Sequence, residues 1–131
     1  MTEGIVAELG PISPSFISGD VPAAIAFYRD RLGFELRFAD PDAPWFAIVG
    51  RDSAQIFLKS EGGIAPQPGR TRHEHLRLDA FVHVEDPDAL AVEFAGRGVA
   101  FASPLQDTHD GLRGFEVDDA DGYRLFFGRP R

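Results

Sequence analysis

The chain has 131 residues, 44% of them hydrophobic and 12 of them phenylalanine, which suits one domain with a real core and argues against disorder. A net charge of −8 disfavours nucleic-acid phosphates and anionic membranes as partners; it serves solubility and makes a cationic small molecule the better electrostatic match. With no cysteine there is no disulfide, thiolate nucleophile or zinc-thiolate site. No apolar run approaches the roughly 20 residues of a membrane helix, and the opening "MTEGIVAELG" lacks the basic-then-apolar layout of a secretory leader, so a cytoplasmic location is expected.

The first strong signal is "FISGDVPAAIAFYRDRLGF", residues 16–34. Asp20 is placed to cap a helix, Pro22 is tolerated in its first turn, and Gly33 can take the left-handed conformation that stops it. Between them Val21, Ala24, Ile25, Tyr28 and Leu32 form one apolar stripe at helical spacing. Strand-like runs follow, "FELRFA", "WFAIVG" and "AQIFLKS", the last two joined by the turn-prone Arg51, Asp52 and Ser53. Next comes "EGGIAPQPGRTRHE", whose glycine, proline and charge mark a connector.

The same order then returns. In "VHVEDPDALAVEFAGRGV", residues 82–99, Asp86 and Pro87 open a second helix anchored by Leu90 and Phe94, and Gly98 ends it. The runs "VAFASPL", "LRGFEV" and "YRLFFG" follow, with Asp121 and Gly122 turning the last hairpin. The expected fold is α+β: a single domain, 1–131, of two βαβββ modules, the first at about 10–60 and the second at 74–131, with 61–73 between them. Four strands with one helix make a curved mixed sheet covered on one face. Two such sheets leave a concave cup where a ligand would sit.

The blocks "GDVPAAIAFYRDRLGFEL" and "VDDADGYRLFFGRP" resemble the vicinal oxygen chelate superfamily, the glyoxalase, bleomycin-resistance and dioxygenase group, and the resemblance covers nearly the whole chain. It implies paired βαβββ modules. In metal-dependent members it implies four ligands, from the first and last strand of each module, which fall here on Ser13, Phe57, Asp79 and Phe126. Only Asp79 is a good ligand in that set, and two phenylalanines coordinate nothing. Shifting the register by up to two places restores no cluster of histidine and carboxylate. The chain is therefore more similar to metal-free, bleomycin-resistance-like members, dimers that sequester a drug without altering it. Arg113 in "GLRGF" stands where such proteins often carry an arginine, although Asp110 takes the place of the tryptophan expected three residues earlier.

Alternation along the strands sorts the cup. If Asp79 faces it, so do Phe81 and His83, while Ala80, Val82 and Val84 back onto the helix. By the same rule Phe57 brings Gln55 and Lys59, Phe126 brings Arg124, and Ser13 brings Ser15 and Ile17. One of Trp45 and Phe46 should face the cup. The candidate ligand-binding residues are thus Trp45, Phe57, Asp79, Phe81, His83, Arg113 and Phe126, with core packing as the alternative for the aromatic ones. An aromatic cup with few polar groups suits a planar or partly cationic organic molecule. Asp79 is its expected countercharge, so that Asp79→Asn would weaken binding of a cation and leave folding intact.

Other chemistry finds less support. His73 and His75 share a face if extended but lie in or beside the connector, and His83, about 13 Å from Asp79 along a strand at about 3.3 Å per residue, makes no direct acid–base pair with it. "VDDADG" lacks the carboxylates a calcium loop needs at its first and last positions, "GRG" at 96–98 follows a helix instead of opening one, and neither a P-loop nor a nucleophile elbow is present. Metal-free acid–base work by Asp79, His83 or Tyr28 stays open, with core packing the simpler role for Tyr28. The leading expectation is metal-independent sequestration of a small aromatic or cationic molecule by a homodimer, possible antibiotic resistance, with no cofactor and no catalytic residue. Alternatives are a metal-dependent lyase or dioxygenase of the same superfamily, and a protein-interaction module.

Overall fold

Both long helices begin where an aspartate reaches forward to a free amide: Asp20 accepts from the Ala23 N–H at 3.1 Å and Asp86 from the Ala89 N–H at 3.0 Å. Gly33, at φ 69°, ends the first and Gly98, at φ 81°, follows the second. A computed structural model describes residues 4, 6–42 and 45–131. Met1 to Glu3 and Ile5, part of the opening read as lacking a leader, lie outside the described residues.

The elements in chain order are β1 (Ser15–Ile17), α1 (Val21–Leu32), β2 (Glu35–Ala39), β3 (Phe46–Arg51), β4 (Ala54–Lys59), α2 (Gly69–Arg72), β5 (Ala80–His83), α3 (Pro87–Gly96), β6 (Phe101–Asp107), β7 (Leu112–Asp118) and β8 (Arg124–Pro130). They build two four-stranded sheets in the same order, β1-β4-β3-β2 and β5-β8-β7-β6. In each, the first strand runs parallel to the last and the other pairs are antiparallel, so both sheets are mixed. This is the expected α+β architecture. The short α2, inside the connector, has too few residues to leave a periodic signal in the sequence.

Each helix covers one face of its sheet. Val21, Ala24, Ile25, Tyr28 and Leu32 are all buried, against Phe16, Ala47, Val49, Ile56 and Leu58. In the second sheet Phe94 meets Phe115 and Phe127 edge-on at 5.7 and 5.2 Å. The two sets form one continuous core. Each fully buried side chain of this size stabilises the fold by about 1.5–3 kcal/mol.

The aspartate-rich turn between β7 and β8 joins the halves. Asp119 is only 6% exposed. Its Oδ1 accepts the Asp121 and Tyr123 N–H groups, both at 2.9 Å, which folds the turn, and its Oδ2 accepts the Tyr28 hydroxyl of α1 at 2.6 Å. Tyr123 stacks flat on Phe16 at 4.2 Å and donates its hydroxyl to the Ile17 carbonyl at 2.7 Å. At the far end of the helices the Arg51 guanidinium grips Glu93 through two 2.8 Å bonds and holds that carboxyl down at about 2.

Burial pushes the Asp119 carboxyl up from 3.8 to about 6, against the downward pull of the hydrogen bonds from Tyr28, Tyr123 and Asp121. Because the folded chain holds this proton more tightly, the contribution is complete below the unfolded value and is lost as pH rises through about 6. Relative to Asp119→Asn, the native chain should therefore lose about 2 kcal/mol of unfolding free energy between about pH 4.5 and 7.5 in urea titrations. A pH-independent difference between the two proteins would remove Asp119 as the titrating group.

Candidate ligand-binding site

With the helices on one side, alternate residues of each strand project from the other, free face. On the first sheet that face is aromatic. Phe46 lies between Phe38, at 5.9 Å, and Phe57, at 5.7 Å, with Gln55 and Lys59 along β4. Trp45, one residue before β3, is half exposed, and its carbonyl accepts the Ser60 N–H at 2.7 Å. Of the pair Trp45 and Phe46, it is Phe46 that joins the row of rings.

On the second sheet Phe81 of β5 stacks on Phe126 of β8 at 5.2 Å and 20°. The upper ring, Phe81, is 46% exposed and the lower one, Phe126, only 4%. Phe126 lies close over Gly114 and Gly128, which face each other across β7 and β8. A Cβ at Gly114 would come within 2.7 Å of the Phe126 ring, so the bare glycine backbone is what lets that ring lie flat. Beside the rings, Glu116 on β7 is opposite Phe126 and accepts from the Arg77 guanidinium at 2.9 Å. Arg124 is tied to Asp118 by bonds of 2.8 and 3.0 Å.

A cavity of about 490 Å³ opens on this face, lined among others by Arg77, Gln106, Leu112, Glu116 and Phe126. A second of about 240 Å³ bridges the sheets, from Pro14 and Gln55 to Phe81 and His83. A third of about 480 Å³ lies at the seam on the helix side, with Phe34, Leu90, Phe94 and Phe127 in its wall.

Of the residues singled out from the sequence, Phe81 and Phe126 come together, and Phe57 sits on the free face of the other sheet. His83 is at the seam with its Nε2 2.9 Å from Glu85. Asp79 has a structural engagement: Oδ1 accepts the Gly69 N–H at 2.7 Å and Oδ2 the Arg124 N–H at 2.8 Å, fastening α2 to the start of β8. Arg113 stands apart. It alternates with Gly114 onto the helix side of β7 and binds Asp88 of α3 through two 2.8 Å bonds, with Asp107 at 3.1 Å.

Glu116, Phe38 and the 490 Å³ cavity escaped the sequence reading. Alternation would have found Glu116, since Phe115 and Val117 on either side of it are core residues.

A match to the model of the Glyoxalase/Bleomycin resistance protein/Dioxygenase superfamily spans residues 10–127, nearly the whole paired-sheet unit. The chain belongs to this superfamily. Among solved structures, it is similar to the bleomycin-binding protein of bleomycin-producing Streptomyces verticillus, solved with copper(II)-bleomycin, at 29% identity and TM-score 0.69, covering 97% of this chain and 100% of that one. It is also similar in fold to TioX from Micromonospora sp. ML1, at 21% identity and TM-score 0.72, covering 93% of this chain and 99% of that one. TnmS3, an antibiotic binding protein from Streptomyces sp. CB03234, shares the fold at 22% identity and TM-score 0.71, covering 97% of this chain and 100% of that one. No curated protein matches the chain by sequence.

Metal-dependent members of the glyoxalase and dioxygenase group imply a metal on the first and last strands of each module. The corresponding positions do not fit one here. Ser13 accepts the Gln55 amide at 3.1 Å, Phe57 and Phe126 have no donor atom, and Asp79 is committed to two backbone amides.

The engagement of Asp79 changes what its substitution should do. In Asp79→Asn one of the two amides loses its acceptor, so stability should fall by about 1–3 kcal/mol. Hydrogen exchange should accelerate at Gly69 or Arg124. Unchanged exchange and melting would show the carboxylate to be dispensable to the fold.

Proposed function

We propose that this protein binds and sequesters a small aromatic or cationic organic molecule, an antibiotic by class, without a metal and without altering it. The observation that carries this reading is the pair Phe57 and Phe126: where relatives need donor atoms, each sheet here presents an aromatic ring on its free face, and Phe126 extends the platform through Phe81. The less buried of these rings, Phe57 and Phe81, offer a planar ligand stacking worth about 0.5–1.5 kcal/mol per pair beyond area burial. The likeness to a bleomycin-binding protein and to an antibiotic binding protein supports the ligand class. The net charge of −8 supports a cation over an anion.

The protein acts in this reading as a cytoplasmic homodimer with no cofactor and no catalytic residue. Half-exposed Phe38, Trp45 and Phe81 give a second copy apolar surface to cover. Among the described residues no helix is long and apolar enough to cross a membrane.

Native mass spectrometry of the purified protein, alone and with copper-free bleomycin as the probe, tests the reading. The expected species is a metal-free dimer that takes up the probe and releases it at unchanged mass. A stoichiometric transition metal lost together with a catalytic activity on chelation, or a probe returned chemically altered, would replace sequestration with catalysis.

A further inference from the structure

We propose that Glu116 is the countercharge for an organic cation, a primary ammonium or guanidinium attached to an aromatic body, and that Arg77 holds the site until the ligand displaces it. This rests on the reading of the chain as a small-molecule binder and gives that site its selectivity.

Glu116 projects from β7 into the 490 Å³ cavity and is only 6% exposed, a carboxylate largely out of water in the wall of an open space. An ionised carboxylate has about four acceptor positions. Among the described residues only one is filled, by the Arg77 guanidinium on Oε2 at 2.9 Å. Oε1 has Arg124 no nearer than 3.8 Å, and that guanidinium already gives two bonds to Asp118. Arg124 therefore contributes field, and Arg77 contributes the hydrogen bond.

The two partners are unequal in their surroundings. The Arg77 side chain is 61% exposed, in the segment before β5, so leaving Glu116 returns it to solvent with little loss. Glu116 has no such escape. A ligand cation that takes the place of Arg77 preserves the charge pair and fills further acceptor positions. A neutral ligand in the same place strands a desolvated carboxylate, and an anion is repelled by it. Discrimination thus comes from excluding the wrong ligands as much as from attracting the right one.

The adjoining surface suits the rest of such a molecule. Phe126 and Leu112 line the same cavity, and Phe126, the cross-strand neighbour of Glu116, carries the half-exposed Phe81 ring on its other side. The volume falls within the roughly 300–1,000 Å³ usual for small-molecule sites. Asp79, the countercharge expected from the sequence, already accepts a backbone amide on each oxygen, so its carboxylate is held in place by the fold and has fewer acceptor positions left than Glu116.

Tryptamine and tryptophol, which share an indole ring and differ in ammonium against hydroxyl, provide a matched pair of probes for titration by calorimetry and amide chemical shifts. Tryptamine should bind at least about tenfold more tightly than tryptophol, with shifts centred on β7 and β8. Glu116→Gln should abolish that preference, whereas Arg77→Ala, which removes the competitor, should strengthen tryptamine binding. Equal affinity of the two probes for the native protein, a preference that survives Glu116→Gln, or weaker tryptamine binding by Arg77→Ala would each overturn the proposal and leave small-molecule binding standing. If neither probe, nor bleomycin, binds the native protein, the small-molecule reading fails and this inference with it. The native comparison and the Arg77→Ala titration decide the matter even if Glu116→Gln does not fold.

Discussion

A single buried carboxylate ties the last turn of the second module to the helix of the first. Asp119 accepts two amides of its own turn and the Tyr28 hydroxyl of the opposite half, so the conformation of the last hairpin and the docking of the first helix depend on the same two oxygens. Hydrogen bonds to a charged group are worth more than neutral ones, but a carboxylate this far from water also carries a large desolvation cost. The balance favours precision of geometry over raw stability. Phe16 and Tyr123 add the apolar part of the joint, and the Arg51–Glu93 pair closes the other end of the helix layer.

Once the helix sides are fixed to each other, the opposite faces are free. That one-sidedness follows from the count of elements: one long helix per four strands covers one face only, and the remaining face must find water, a ligand or another chain. The two free faces have diverged. The first is a row of Phe38, Phe46 and Phe57, whereas the second places Phe81 and Phe126 beside Glu116, Arg77, Arg124 and Asp118. A duplicated backbone therefore carries two different chemical surfaces, one suited to stacking and the other to stacking with charge.

The elements most legible in the sequence were those in which local and tertiary demands coincide. Asp20, the stripe from Val21 to Leu32, and Gly33 specify cap, buried face and stop within one short segment, and the structure realises each. The strands were legible because turn residues separate them and because βαβββ is repeated. The site was less so. Alternation tells which face a residue occupies but not which partner it meets: Asp79 has its carboxylate drawn to backbone amides of Gly69 and Arg124, 10 and 45 residues away. The helix-side position of Arg113 was within reach of the same rule, since Gly114 and Glu116 share the other face, but its bidentate contact with Asp88, 25 residues earlier, depends on how α3 lies across β7, which no local pattern gives.

Phe126 shows why a change at one position is rarely a change of one residue. A large ring fits over β7 and β8 because Gly114 and Gly128 offer no side chains there, and the Phe81 ring of the neighbouring strand stacks against it. Ring, glycine floor and aromatic cover make one packing unit that has no use for a metal ligand at its centre. With the ring occupying the middle, the proposed charge recognition falls to the flank of the platform, where Glu116 is buried and Arg77, its one hydrogen-bonding partner among the described residues, is exposed. Apolar packing at the centre and an ion pair of unequal exposure at the edge thus lie side by side on one sheet.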